Sequence, residues 1–169
     1  MEKREEYTHV THTFLPVYNK ESRVLVLGSF PSVKSREQNF YYGHPQNRFW
    51  KVIACLAGTS VPQTVEEKKH LLLENKVAVW DVIASCDIIG SSDSSIKNVA
   101  VNDFSGVLEN SSIHTIYANG AKAYDLYCRY AKGHTGREIV KLPSTSPANA
   151  AWNLDRLCSA WRDVVENRI

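Results

Sequence analysis

An unbroken apolar run, Val24-Leu25-Val26-Leu27, stops at the turn Gly28-Ser29-Phe30-Pro31-Ser32. One aromatic loop later it gives way to a helical stripe over Phe49, Trp50, Ile53, Leu56 and Ala57. Continuous hydrophobicity, rather than alternation, marks a strand covered on both faces, as the strands of parallel sheets are. The unit recurs along the chain. Residues 23–28, 77–83, 113–117 and 137–142 read as strands. Helical patterns fall between them over residues 45–58, 64–75, 103–110 and 121–132, and a last helix opens at Ser146-Pro147. The punctuation agrees: Thr64 with Glu67 three residues on makes a capping box, and Gly58 ends the helix before it. Trp152, Leu157, Trp161, Val164 and Val165 are the inner positions of the last helix, and Trp50 and Trp80 also read as core. Right-handed crossovers between such strands predict an α/β fold, a three-layer α/β/α sandwich around a central four-stranded parallel sheet.

Length and chemistry narrow the class. The 169 residues suffice for a single domain spanning 1–169. Four cysteines, Cys55, Cys86, Cys128 and Cys158, stand far apart with no C-x-x-C pair. Zinc and iron–sulfur sites are therefore not expected, and the thiols read as reduced and mostly buried in a cytoplasmic protein, nucleoid-associated in a prokaryote and nuclear in a eukaryote. His9 and His12 are three apart, yet Val10, Thr11 and Thr13 favour an extended segment, so neither a metal nor a cofactor is expected there. No apolar run reaches membrane-spanning length, which predicts no membrane partner. The net charge of +2 is too small to announce a nucleic-acid partner, but phosphates can also be held by backbone N–H groups and helix N-termini.

The carboxyl ends of parallel strands share one edge, so the turns that follow them should share one site. Gly28-Ser29-Phe30-Pro31-Ser32 supplies a turn and backbone donors. Asp81, Ser85 and Asp93 lie in or after the second strand, and Ala118-Asn119-Gly120 follows the third. The fourth strand leads into Pro143-Ser144-Thr145-Ser146-Pro147, where Ser146 is a good N-cap and Pro147 a natural first helical residue, so the hydroxyls make either an ordinary helix cap or a phosphate site. Between the first strand and its helix stands Phe40-Tyr41-Tyr42-Gly43-His44-Pro45-Gln46-Asn47-Arg48-Phe49-Trp50. Three adjacent aromatics with nearby amides suit a flat, uncharged, hydrogen-bonding ligand such as a nucleobase. Phe40 or Tyr41 is the base-stacking ring, with the other in the core. Asn119 is either the amide that reads the base edge or a turn residue before Gly120. Asn47 and Arg48 orient the aromatic loop, or Arg48 serves as an ion-pair partner.

The run GSFPS, the run FYYGHPQNRFWKVIACLAG and the late PSTSPANAAW together resemble the uracil-DNA glycosylase superfamily over about residues 23–161. The middle run is similar to the mismatch-specific uracil/thymine branch, and the turn to the hypoxanthine-DNA glycosylase branch. In the mismatch-specific branch an Asn of the turn positions the attacking water; here Phe30 takes that place. The hypoxanthine branch is similar in lacking that Asn and in carrying one shortly downstream, which matches Asn39. The resemblance implies a monomeric, monofunctional glycosylase that everts a deaminated base, most simply hypoxanthine, from double-stranded DNA and hydrolyses its N-glycosidic bond. It implies Asn39 as the catalytic group, and Gly28, Ser29, Phe30, Pro31, Ser32, Phe40, Tyr41, Asp81 and Asn119 as the base pocket. Asn47, Ser144, Thr145, Ser146, Ala148 and Asn149 would meet DNA, with Ala148 or Asn149 in the gap left in the stack.

An amide is not a strong base, so Asn39 can place a water but not deprotonate it, and most of the acceleration would come from leaving-group stabilisation and electrostatics. Asp81 and Asp93 are the carboxylates that could assist. No lysine sits within those loops to act as a lyase nucleophile, although Lys34 and Lys141 are near them in sequence. Two other readings stand beside this one: uracil or mismatched thymine as substrate, and a nucleic-acid-binding module without chemistry. A phosphate-loop hydrolase is disfavoured, since the chain has no GxxxxGK[ST] motif.

Overall fold

In the computed structural model, which describes residues 6–166, the strands are β1 (Thr8–Thr11), β2 (Val24–Gly28), β3 (Val77–Asp81), β4 (Ile83–Ile88), β5 (Lys97–Val101), β6 (Thr115–Asn119) and β7 (Ile139–Leu142). The helices are α1 (Val33–Gln38), α2 (Phe49–Ala57), α3 (Val65–Glu74), α4 (Ser105–Glu109), α5 (Ala121–Leu126), α6 (Lys132–Thr135) and α7 (Leu154–Glu166). A π-helical stretch, Tyr127–Ala131, joins α5 to α6.

The expected four-stranded parallel sheet is present, in the order β3-β2-β6-β7. β2 is central and buried along its whole length, which is why its sequence shows no alternation. Its side chains divide between two cores. Val24 and Val26 pack with Phe49, Ile53, Leu72, Leu157 and Trp161 under α2, α3 and α7. Leu25 and Leu27 pack with Ile83, Phe104, Ile116 and Tyr127 on the other face. The inner positions Leu157, Trp161, Val164 and Val165 of α7 are buried as their spacing requires, and Trp161 Nε1 donates to the Pro143 carbonyl at 2.9 Å. Thr64 caps α3 by accepting from Glu67 N at 3.1 Å, and Gly58 takes the left-handed conformation that stops α2.

Three differences from the expected organisation bear on the site. First, residues 77–83 are not one strand: β3 ends at Asp81, and the chain turns at Val82 into β4. β4 is the centre of a second sheet, antiparallel, in the order β1-β4-β5. The segment 87–98, which by its Gly90, four serines and Asp93 reads in the sequence as loop-rich, therefore carries the end of β4 and the start of β5, and loop structure is confined to about residues 89–96. The serines and Gly90 that signalled a loop belong to that connection. Second, the N-terminal segment runs extended, as Val10, Thr11 and Thr13 suggested. It forms β1 and then pairs Val17 with Val79, covering the exposed edge of β3. Third, the last helix begins at Leu154 rather than at Ser146. Residues 146–153 form turns instead, because Arg48 draws their carbonyls inward, as described below. The turn that follows Gly28 also contains a short helix, α1, capped by Ser32.

Candidate functional site

A cavity of about 310 Å³ opens at the carboxyl edge of the parallel sheet, where the turns after β2, β3, β6 and β7 meet. That is purine-sized space with room for a sugar at its mouth. Gly28 to Ser32, Tyr41, Tyr42, Asp81, Asp93, Asn119 and Ser144 to Ala148 line it. A larger hollow of about 870 Å³ lies at the opposite edge, beside Arg23, His70 and Lys76, where β2 and β3 begin. It gathers no turn from the carboxyl ends of the strands and none of the candidate site residues singled out by sequence, so the smaller cavity is the candidate site.

One wall is a closed hydrogen-bond knot. Asn119 sits at the end of β6. Its Oδ1 accepts from Thr145 N at 3.0 Å, and its Nδ2 donates to Thr145 Oγ1 at 3.0 Å. Thr145 Oγ1 in turn donates to Asn47 Oδ1 at 2.8 Å, and Asn47 Oδ1 also accepts from Phe49 N at the start of α2. Arg48 then gathers the following loop. Its guanidinium donates to the carbonyls of Ser146 (2.8 Å), Asn149 (3.1 Å), Thr145 (3.4 Å) and Trp152. A planar five-donor fork is the side chain able to do this. Gly120, at φ 95°, packs so closely under Ser144 that a Cβ there would stand 3.1 Å from the serine Cβ.

The facing wall is built over Gly28. A Cβ on residue 28 would lie 2.4 Å from Asp81 Oδ1 and 3.2 Å from Tyr42 Oη, so only glycine lets the two groups approach. Asp81 ends β3, and its Oδ2 pairs with His12 Nε2 at 2.8 Å, both side chains almost fully buried. Asn102 Nδ2 holds the Asp81 carbonyl at 2.9 Å. Tyr42 stacks on Phe49 with centroids 4.0 Å apart, and its backbone is left-handed at φ 53°. Such a backbone is uncommon for a bulky residue and is a form of stored strain. Its hydroxyl is buried and has no hydrogen-bond partner. Burial first, and the Asp81 charge second, push its ionisation far above the ordinary tyrosine value, so it stays a neutral donor. Asp93 completes this side. Ser29 Oγ donates to its Oδ1 at 2.9 Å, while burial raises its carboxyl above the usual range.

The residues singled out by sequence distribute unevenly. Gly28, Ser29, Phe30, Pro31, Ser32, Tyr41, Asp81, Asn47, Asn119, Ser144, Thr145, Ser146 and Ala148 all line the cavity. Phe40 does not. It is buried and stacked against Trp50 at 6.1 Å, because α2 turns its apolar stripe toward the loop. Tyr41 reaches the cavity but is 2% exposed, and its hydroxyl donates to the Leu15 carbonyl at 2.8 Å. The ring of this run with open hydrogen-bonding capacity is Tyr42. Asn119 has one bond to Thr145 at each amide atom, which leaves a second N–H and a second lone pair for a base edge. Thr145 is fully buried, with its hydroxyl proton given to Asn47, whereas Ser144 and Ser146 are partly exposed. Ser146 does not cap α7; its Oγ accepts from Ala148 N at 3.2 Å inside the turn. Ser32 lines the cavity while capping α1. Asn149 is tied to the Ser144 carbonyl through Nδ2, behind the cavity wall, and exposed Ala148 stands at its mouth. Asn39 is the left-handed C-cap of α1, outside the lining but two residues before Tyr41. Its Oδ1 accepts from the Thr13 hydroxyl at 2.9 Å, at an exposed position.

His12 and Tyr42 carried no sequence signal of their role: one lies in a polar amino-terminal stretch, the other is the third of three aromatics. Arg48 orients the 145–152 loop and has no ion-pair partner among the described residues. The cysteines are free, though Cys86 alone is buried; Cys55 is exposed because it lies on the outer face of α2. Among the described residues no cluster of three or more His, Cys, Asp or Glu could hold a metal ion, and no helix is long and apolar enough to cross a membrane.

Comparison with known proteins matches the chain to a known family. The family model for the uracil DNA glycosylase superfamily matches residues 15–165. The chain is similar to a hypoxanthine DNA glycosylase of Methanosarcina acetivorans, 36% identical over 153 residues, which are 89% of this chain and 95% of the relative. It is also similar to the hypoxanthine DNA glycosylase of Methanosarcina barkeri, 32% identical over 156 residues, with the same coverage of both chains. A solution NMR structure from Methanosarcina acetivorans, named provisionally as a uracil DNA glycosylase, superposes with a TM-score of 0.74 at 33% identity, covering 89% of this chain and 96% of its own.

Proposed function

The chain belongs to the uracil DNA glycosylase superfamily, and from that membership we propose that it removes hypoxanthine from deoxyinosine in duplex DNA as a monomer. The product would be an abasic site. The observation that carries this reading is the purine-sized cavity at the strand ends, with two carboxylates, Asp81 and Asp93, and a free phenol in its walls.

The chemistry follows from that composition. A duplex hides the glycosidic bond, so the nucleotide must be everted at a cost of a few kcal/mol, least for a mispaired base. Hypoxanthine fails to pair well and is everted more cheaply than adenine. Departure of the base leaves an oxocarbenium-like sugar. Asp93, fixed by Ser29, presents negative charge to that cation without reorganisation. Ser144 and Ser146 flank the everted nucleotide's phosphates, held by the Arg48 knot, and Ala148 at the mouth faces the gap in the stack. No lysine lines the cavity among the described residues, which supports hydrolysis without a lyase step.

Asn39 is the proposed water-placing residue. Exchange of the exposed Thr13 hydroxyl for a water at its Oδ1 would give it that function. Asp93 is a second reading, favoured by its place in the lining and by its raised carboxyl, which is the stronger base once ionised. The test is to incubate the purified protein with duplexes carrying single deoxyinosine, deoxyuridine, deoxyxanthosine or G·T sites and to cleave abasic sites with alkali. Deoxyinosine should be cleaved fastest, and no strand cleavage should precede alkali. Absence of hypoxanthine release ends the reading. Asn39→Ala should lower kcat about 100-fold with duplex binding kept. If Asp93→Asn alone produces that loss, with the acid limb of the wild-type pH profile above the ordinary carboxylate range, the water belongs to Asp93.

A further inference from the structure

The strongest unexplained feature of the cavity is a polar group without a partner. Buried hydroxyls in folded proteins are nearly always hydrogen-bonded, and an exception calls for a reason. The Tyr42 hydroxyl is such an exception. It is held there at the expense of a left-handed backbone and by the face of Phe49 behind its ring. The Asn119 amide lies near enough to lower its ionisation slightly, yet makes no well-formed hydrogen bond to it, and both Asn119 amide atoms bond Thr145. Asp81 Oδ1 converges on the same point above Gly28. A donor and an acceptor thus stand side by side, both facing the cavity, and His12 keeps the carboxylate in place through its other oxygen.

Resting on the glycosylase reading above, we infer that Tyr42 and Asp81 form the specificity pair of the site and read the lactam edge of the everted base. Tyr42 Oη donates to the exocyclic carbonyl, and Asp81 Oδ1 accepts the adjacent ring N–H. In hypoxanthine these are O6 and N1–H; in uracil they are O4 and N3–H. Deamination creates this edge. Adenine and cytosine present the reverse, an amino donor beside a bare ring nitrogen. In this site the phenol could turn to accept from the amino group, but the bare ring nitrogen would meet a carboxylate, two acceptors face to face. That mismatch leaves buried polar groups unpaired, and a site built on hydrogen bonds rejects such analogues strongly. Guanine and thymine carry the lactam too, so against them the pair does not discriminate. Their rejection comes from the cost of breaking a good base pair, from the guanine 2-amino group and from the thymine methyl.

Tyr42→Phe isolates the claim, because it removes the hydroxyl and keeps the ring. A hydroxyl with no native partner contributes no hydrogen bond to stability, so the variant should melt at the same temperature as the wild type or higher. Single-turnover excision of hypoxanthine should fall at least about tenfold, the loss expected when a base carbonyl goes unpaired. Excision within twofold of wild type would overturn the pair, as would a lowered melting temperature that accounts for the loss. The glycosylase reading is judged separately, by wild-type release of hypoxanthine from the deoxyinosine duplex. If the wild type releases none, that reading fails and the pair is judged by titrating free hypoxanthine and free adenine into both proteins. A wild-type preference for hypoxanthine over adenine, with a hypoxanthine affinity that falls at least about tenfold in Tyr42→Phe, upholds the pair; equal affinities for the two bases in the wild type, or an unchanged hypoxanthine affinity in Tyr42→Phe, overturn it.

Discussion

Two walls of one cavity are made from similar residues and behave oppositely. On the β6–β7 side, Asn47, Arg48, Asn119 and Thr145 satisfy one another, and Thr145 is wholly buried by doing so. On the β2–β3 side, Tyr42 has no partner and Asp81 keeps an oxygen facing the cavity above Gly28. Amides and hydroxyls look alike in a sequence, yet the first group is satisfied within the protein and the second is left open at the cavity. Satisfied polar networks rigidify, whereas unsatisfied ones wait for a ligand.

The contrast can be broken most directly at Arg48. Arg48→Ala should destabilise the protein by about 3 kcal/mol, because four loop carbonyls lose their donor. The melting temperature should drop by about 6–12 °C at this chain length. Arg48→Lys should recover less than half of that, since an ammonium cannot reproduce the fork. An unchanged melting temperature in both would remove the scaffold role. Next in size, Thr145→Val preserves shape but deletes the hydroxyl between Asn119 and Asn47, and should cost about 2 kcal/mol in chemical denaturation with the slope m unchanged. On the other wall His12→Ala should reduce excision more than about tenfold while costing about 2 kcal/mol, because Asp81 loses the group that orients it. If its stability loss came with full activity, His12 would belong to the scaffold wall instead.

The smallest effect is a pH dependence. Burial raises the Asp93 carboxyl above its ordinary value. The folded state therefore holds that proton more tightly than the unfolded chain, and the stability this provides is lost as pH rises through the folded value. At neutral pH the ionised group is a burden that Asp93→Asn relieves. The variant should melt slightly higher than wild type at neutral pH, with the difference fading below the ordinary aspartate range. A difference that instead grows on acidification would show that Asp93 is favoured as a carboxylate.

The parts of the fold legible in the sequence were those with local or periodic causes. β2 announced itself by four apolar residues in a row, α7 by its inner stripe, and the end of α2 by Gly58. The antiparallel sheet was not legible, because β4 and β5 alternate over a few half-exposed residues interrupted by bulges, and their serine-rich connection dominated the pattern. The start of α7 was misplaced for a related reason. Ser146-Pro147 is a good helix opening locally, but Arg48, nearly a hundred residues earlier, bonds the carbonyls that such a helix would need. In the aromatic run, composition pointed to a base-sized ligand. Which ring meets the cavity was decided by the left-handed turn at Tyr42, which sends Phe40 toward Trp50 and Tyr42 onto Phe49.

The sequence by itself determined that strands of continuous hydrophobicity would lie parallel, and hence that the turns after them would meet at one edge. Those consequences follow from burial and chirality, which act the same way at every position. Only the tertiary structure decided which polar groups at that edge are already paired. A hydrogen bond depends on where two atoms stand to within a fraction of an ångström: Tyr42 and Asp81 meet over Gly28, and His12 reaches Asp81 from an amino-terminal segment that pairs along β3 and β4.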